Sequence, residues 1–181
     1  HPITRTYLQA AQQAGFKINS DYNGADMEGA ALYQITTKNG LRASTSRAYL
    51  RPAKKRQNLS IQTKAHVTRI LFDAKRATGV DYVQNGKSKT AKARAEIILC
   101  GGAINSPQLL QLSGVGPSEV LQNHGIPVVQ QSSQVGRNLQ DHLGSDNYYR
   151  ATVPTLNQQL RPFLGKVKVA LQYALSCTGP L

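Results

Sequence analysis

The chain has 181 residues, and its 40% apolar and 17% charged residues are typical of a folded protein rather than a disordered one. Its 22 lysines and arginines against 9 acidic residues give a formal charge of +13, which raises nucleic acid or an acidic membrane surface as a partner. The basic residues are scattered, however, and the densest run, residues 51–56, has no accompanying basic helix. We therefore interpret the charge as a solvated surface and expect no nucleic-acid partner; a basic nucleic-acid or membrane-surface binding protein is the alternative.

The first part of the chain predicts a helix, a loop and a strand. Apolar residues at helical spacing indicate a helix over residues 4–14, and Gly15 stands where a helix commonly ends. Residues 20–29 are typical of a loop, and residues 30–37 are compatible with a strand. A second helix is expected over residues 42–50, ended by Pro52.

The middle of the chain predicts a three-stranded antiparallel meander. Alternating apolar residues indicate strands over 58–72 and 78–84, and Asn85-Gly86 is a strong hairpin signal before a polar strand over 87–96. The meander leads into residues 97–99, a continuous apolar run of the kind found in a strand covered on both faces.

A glycine-rich turn follows that run. Gly101-Gly102 lets a backbone approach a ligand closely, and the next helix, with Asn105 or Ser106 as cap and Pro107 in first position, presents free N–H groups. A nucleotide site and a tight turn without a ligand explain this pattern equally well. Further helices are predicted over 117–124 and 165–175, with a strand over 126–129 and a loop over 134–143.

No catalytic or metal constellation is visible. The four histidines have no metal-ligand spacing, no serine has a GxSxG context, and neither GxGxxG nor GxxxxGK[ST] occurs. Cys100 and Cys177 match no metal or redox spacing and favour a reducing compartment. No run approaches the roughly 20 apolar residues of a membrane span. The chain begins at His1 without Met, as a processed protein or an excerpt from a longer one would.

Residues 101–116, GGAINSPQLLQLSGVG, resemble a known family. The match through NSP, the paired leucines and SGVG is to the second signature of the glucose-methanol-choline (GMC) flavin oxidoreductases. Residues 42–50 are similar to the family's segment before its cofactor-domain strand, and residues 58–73 to the strand along the FAD adenine. Residues 135–142, VGRNLQDH, look like its VGxNLxDH loop. Within the family, the signature and the NLQDH ending are most similar to the choline dehydrogenase and alcohol dehydrogenase (acceptor) branch.

The resemblance implies an FAD enzyme that oxidises the CH–OH group of a primary, choline-type alcohol to an aldehyde by hydride transfer to the flavin. The resemblance implies a backbone contact to the adenine at Val67. It implies contacts to the adenosine half of FAD at Cys100, Gly101, Gly102 and Ala103. On the flavin side, it implies contacts at Asn138, Asp141 and His142.

The departures from the family pattern are as informative as the matches. The GxGxxG turn that carries the pyrophosphate and the segment with the catalytic histidine are both absent. We therefore assign no catalytic residue and expect an internal fragment of a longer enzyme, inactive alone. A non-catalytic FAD-fold module or degenerate relative is the alternative.

The resemblance also implies the architecture and the partners. The expected fold class is α/β, with α+β parts: a portion of a layered FAD/NAD(P)-binding fold with an antiparallel meander. Residues 1–52 are expected on the substrate side, 53–146 in the FAD-binding domain, and 147–181 at the start of the substrate-binding domain. The partners are an alcohol substrate and a quinone or oxygen as electron acceptor. Location in the cytoplasm or peripherally on the inner membrane face, and membrane association of the parent enzyme, stay open.

Overall fold

The computed structural model describes residues 2–179. The helices are α1 (Pro2–Gln13), α2 (Arg51–Ala53), α3 (Gly102–Leu112), α4 (Ser118–Asn123), α5 (Leu156–Leu160) and α6 (Phe163–Ser176), with a π-helical turn at Ser46–Leu50. The strands are β1 (Thr37–Lys38), β2 (Leu41–Arg42), β3 (Ala65–Asp73), β4 (Arg76–Gln84), β5 (Lys87–Lys92), β6 (Val115–Gly116) and β7 (Gln130–Gln131). Within the described range, no helix is both long enough and apolar enough to cross a membrane.

The chain forms two compact units. The central unit comprises Ser60–Ser145, and the terminal unit combines the chain up to Leu59 with the chain from Asp146 onward. In the terminal unit, β1 and β2 form an antiparallel hairpin. The hydroxyl of Tyr173 in α6 donates to the carbonyl of Gly40 in that hairpin at 2.8 Å, and Val169 of α6 is buried. The helices predicted over residues 4–14 and 165–175 are confirmed as α1 and α6.

The strand predicted over residues 30–37 is wrong, because side chains of the preceding loop hold this segment in place of a neighbouring strand. The backbone N–H of Gln34 donates to the hydroxyl of Tyr22 at 3.0 Å, and its side-chain amide donates to Asp21 at 3.0 Å and accepts from Asn23 at 2.6 Å. Only residue 30 makes a bridge, and a strand begins at Thr37.

The second predicted helix differs at its end. A π-helical turn over Ser46–Leu50 continues directly into α2, and Pro52 lies in the first turn of α2 instead of ending the helix. The turn before Pro52 is a π-turn, in which the N–H of Arg51 donates to the carbonyl of Ser46. This wider turn accommodates the proline ring, which in a regular α-helix clashes with the carbonyl four residues back.

The meander predicted for the central unit is confirmed. β3, β4 and β5 form an antiparallel sheet in that order, with residues 85–86 at the hairpin turn. β3 begins at Ala65, later than predicted, and β5 ends at Lys92. α3 packs on β3 through its C-terminal half, near buried Ile70. The helix predicted over 117–124 is confirmed as α4, whose Leu121 is fully buried.

The buried strand predicted over residues 97–99 is wrong. No strand of residues 2–179 pairs with them, and Ile98 is 74% exposed. An apolar run forms a sheet strand only where another strand offers hydrogen-bonding partners, and the described residues offer none here.

The two elements after the glycine pair also have different bounds. α3 begins at Gly102, so Pro107 lies inside it. The predicted cap at Asn105 or Ser106 is wrong, because the N-cap is Gly101 and both residues lie within α3. The Ser106 hydroxyl accepts from the N–H of Gly101 at 3.1 Å. The strand expected over 126–129 is instead β7, two residues long and parallel to β6, because Pro127 has no N–H to donate to a ladder.

Candidate cofactor site

A groove opens between the sheet, residues 97–101 and α3. Its volume is about 580 Å³. The walls are mostly apolar and carry no lysine, arginine, aspartate or glutamate; the lining residues are His66, Val67, Thr68, Val80, Ile97, Ile98, Leu99, Cys100, Gly101, Asn105, Ser106, Gln108, Leu109 and Leu112. We call it the first groove. A surface of this kind suits an uncharged, flat group better than a phosphate.

The glycine pair shapes the end of the first groove. A Cβ at Gly101 would lie 3.1 Å from Cβ of Asn105 and 3.2 Å from the backbone nitrogen of Ser106, which is tighter than ordinary contact. Gly102 has a φ of 81° and faces open space, since a Cβ there would meet nothing within 4 Å. The chain therefore turns tightly onto α3 and leaves its backbone accessible to a ligand.

The opposite flank of α3 borders a second groove. Its volume is about 660 Å³, and it lies between α3 and residues 134–140. The Gln111 side chain holds this loop, since its amide donates to the carbonyl of Val135 at 3.1 Å. Asn138 lies in the same loop with a φ of 57°, and its side-chain amide donates to the side chain of Gln134.

The structure separates the eight predicted cofactor residues into three groups. Val67, Cys100 and Gly101 line the first groove, and Gly102 continues the same turn. Ala103 and Asn138 line the second groove. Asp141 and His142 are exposed and line neither groove. The backbone N–H of His142 donates to the Asp141 carboxylate at 2.8 Å.

Two polar residues that support the grooves were not predicted from the sequence. Ser113 is 2% exposed and bonds to both β3 and α3, and Gln111 holds the loop of the second groove. The sequence does contain one signal for Ser113, which is a polar residue at the end of an apolar helical run. Across residues 2–179, no three His, Cys, Asp or Glu side chains are grouped so as to hold a metal ion.

Comparison with known proteins identifies the family of the chain. The model of the GMC oxidoreductase family matches residues 1–144. The chain belongs to the GMC oxidoreductase family. GMC oxidoreductases are FAD-dependent enzymes, so the family and the cofactor expected from the signature are both confirmed.

Individual GMC relatives agree with the expected branch. The chain is 46% identical to human mitochondrial choline dehydrogenase over 180 residues, which cover 99% of this chain and 30% of the relative. It is 45% identical to the alcohol dehydrogenase (acceptor) of Pseudomonas putida over 145 residues, covering 79% of this chain and 26% of the relative. The chain thus spans about a third or less of the curated GMC relatives described here.

A solved structure has the same fold. An FAD-dependent oxidoreductase from Chaetomium thermophilum superposes with a TM-score of 0.83 at 26% identity, covering 99% of this chain and 32% of that one. The predicted α/β fold class with an antiparallel meander is therefore confirmed as part of a GMC oxidoreductase.

Proposed function

We propose that this chain is the adenosine-binding part of an FAD-dependent dehydrogenase that oxidises a choline-type primary alcohol to an aldehyde. The observation that carries the proposal is the first groove: an apolar cleft free of Lys, Arg, Asp and Glu, closed at one end by a glycine turn, in a GMC chain. The names of the relatives support the substrate class and the need for an electron acceptor.

The residues of the first groove suit the adenine and its ribose. Val67 lies on β3 in the groove wall, and Cys100 and Gly101 line the same cleft just before α3. Open space beside Gly102 leaves room for the sugar near the first turn of α3. Ala103 lies at the same helix start, on the side of the second groove.

The second groove suits the other half of the cofactor. Asn138 is held there by its own loop, and we propose that Asp141 and His142 approach the flavin side from the exposed continuation of that loop. Bound FAD would supply the acceptor for the hydride of the alcohol carbon. The residues of this chain bind and orient the cofactor, and none of them is assigned to proton removal.

We also propose a domain assignment. Residues 53–146 would belong to the FAD-binding domain, with 1–52 on the substrate side and 147–181 opening the substrate-binding domain. Support comes from the compactness of Ser60–Ser145 and from the grouping of the two remaining parts in one unit. The electron acceptor would be a quinone or oxygen, at an enzyme in the cytoplasm or peripheral on the inner membrane face.

Two measurements test the proposed function on the intact enzyme. Anaerobic addition of choline or another primary alcohol is expected to bleach the absorbance of oxidised flavin; an enzyme that carries FAD and is reduced by none of these alcohols would support a non-catalytic module instead. The second measurement is alkylation of the exposed Cys100 thiol by N-ethylmaleimide. Saturating FAD is expected to slow alkylation of Cys100 at least tenfold relative to the FAD-free enzyme. An alkylation rate of Cys100 that FAD leaves unchanged would contradict this placement of FAD.

A further inference from the structure

A single buried hydroxyl joins the two walls of the first groove. The N–H of Ile70 in β3 donates to Oγ of Ser113 at 2.8 Å, and that Oγ donates to the carbonyl of Leu109 in α3 at 2.6 Å. Ser113 is 2% exposed and Ile70 is 3% exposed. Water therefore has little access to replace either bond.

The direction of both bonds is settled by their partners. A backbone N–H can only donate and a backbone carbonyl can only accept, so the hydroxyl of Ser113 uses its lone pair toward Ile70 and its proton toward Leu109. An apolar side chain at position 113 would leave the Ile70 N–H without this acceptor in a dry environment, and such groups are costly to leave unpaired.

Ile70, which donates to Ser113, lies where the pairing of β3 is irregular. The pairing of β3 with β4 shifts register twice, between Val67 and Arg69 and between Leu71 and Phe72, so Ile70 lies between two irregularities. Irregularities of this kind disrupt the local ladder and re-aim the neighbouring residues. The bond from Ile70 to Ser113 thus anchors the strand between them, three residues after Val67, which lines the groove.

We infer that Ser113 is a positioning residue for the adenosine end of FAD. It holds the wall that carries Val67 at a set distance from the wall that carries Leu109 and Leu112, all of which line the first groove. The inference rests on the proposed function, because it assigns the first groove to the adenosine of FAD. Ser113 itself lines neither groove and acts through the spacing of the two walls.

A purely structural role gives a different result from a positioning role. Global destabilisation changes an apparent dissociation constant only by lowering the fraction of competent protein, so it has no effect while the apoenzyme is more than about 99% folded. A shift in the spacing of the groove walls weakens binding even in fully folded protein. FAD affinity well below the unfolding temperature therefore distinguishes the two roles.

The experiment uses intact apoenzyme and the variants Ser113→Ala and Ser113→Cys. The thiol of Ser113→Cys keeps a weak donor and a weak acceptor of similar size, so this variant should show an intermediate loss of FAD affinity. It also replaces the alanine variant if that variant does not fold. The control is Thr90→Ala, which removes a hydroxyl that donates to the carboxylate of Asp81 at 2.6 Å in the same sheet, outside the lining of either groove. Thermal unfolding of each apoenzyme fixes the temperature at which all are folded.

At that temperature, the FAD dissociation constant, followed by quenching of flavin fluorescence, is expected to rise about tenfold for Ser113→Ala and by an intermediate factor for Ser113→Cys. Thr90→Ala should bind FAD as the wild type does. Unchanged FAD affinity in folded Ser113 variants overturns the inference while leaving the proposed function intact. A wild-type apoenzyme that binds no FAD overturns the proposed function and the inference with it.

Discussion

Replacing Gly114 by alanine should destabilise the central unit through steric conflict at a specific backbone contact. Gly114 follows α3 with a φ of 88°, and its carbonyl accepts the N–H groups of Val129 at 2.8 Å and Gln130 at 3.1 Å. A Cβ at this position would lie 2.5 Å from the carbonyl oxygen of Pro127 and 2.9 Å from Cγ2 of Val129. The backbone atom cannot rotate away, so the segment leading into β7 must move.

The expected magnitude has two parts. A left-handed backbone costs a residue with a Cβ about 1–2 kcal/mol. Forcing additional volume into a packed site costs about 1–3 kcal/mol more. Gly114→Ala should therefore lower the free energy of unfolding by about 2–5 kcal/mol.

Gly125→Ala provides the matched control. Gly125 follows α4 with a φ of 66°, but a Cβ there would meet nothing within 4 Å. This variant should show the conformational cost alone, about 1–2 kcal/mol. Urea unfolding of the intact protein, with the midpoint and m-value fitted for both variants, measures the difference. Equal losses at the two positions would refute the role assigned to the contact with Pro127.

Two further predictions concern the core and an exposed ion pair. Leu121 is fully buried, so Leu121→Ala should lower the free energy of unfolding in urea by about 2–5 kcal/mol. Val120→Ala, at a position 36% exposed, should lower it clearly less. Similar losses in the two variants would contradict the assignment of Leu121 to the core. The Lys17 ammonium, 2.5 Å from the Asp26 carboxylate, lowers the pKa of Asp26, with a further contribution from the Glu28 N–H. Lys17→Gln should raise that pKa toward the ordinary aspartate value in an NMR titration. Because the pKa is lowered on folding, any stabilisation by the pair is present above the unfolded-state pKa and is lost as the pH falls through the folded-state pKa.

Local signals identified most of the central unit. Asn85-Gly86 and the alternating apolar residues around it are sufficient for a hairpin, because the turn and the strands it joins depend on neighbours close in sequence. The family resemblance predicted cofactor contacts at Val67, Cys100 and Gly101, and the structure brings the three residues to one groove. Their contact with FAD stays a prediction.

Elements that depend on distant neighbours were predicted less well. Residues 97–99 have the composition of a central strand. A strand also needs a partner segment, however, and the sequence of residues 97–99 does not show whether one is present. Gln34 illustrates the converse, since the hydrogen bonds that it donates to the Tyr22 hydroxyl and the Asp21 carboxylate take the place of the strand pairing that its apolar neighbours suggested. Ser113 was missed as a site residue because a buried hydroxyl is recognisable only once its partners are known.

Residues 97–100, with which no strand of residues 2–179 pairs, affect how the isolated chain behaves in solution. They combine two isoleucines and a leucine with backbone groups that no strand of residues 2–179 engages, and Ile98 projects into solvent. An apolar strand with free edges is a template for pairing with another copy. Preparations of the isolated chain should therefore self-associate and precipitate through this segment, and a charged substitution at Ile98 is the change most suited to keeping them dispersed.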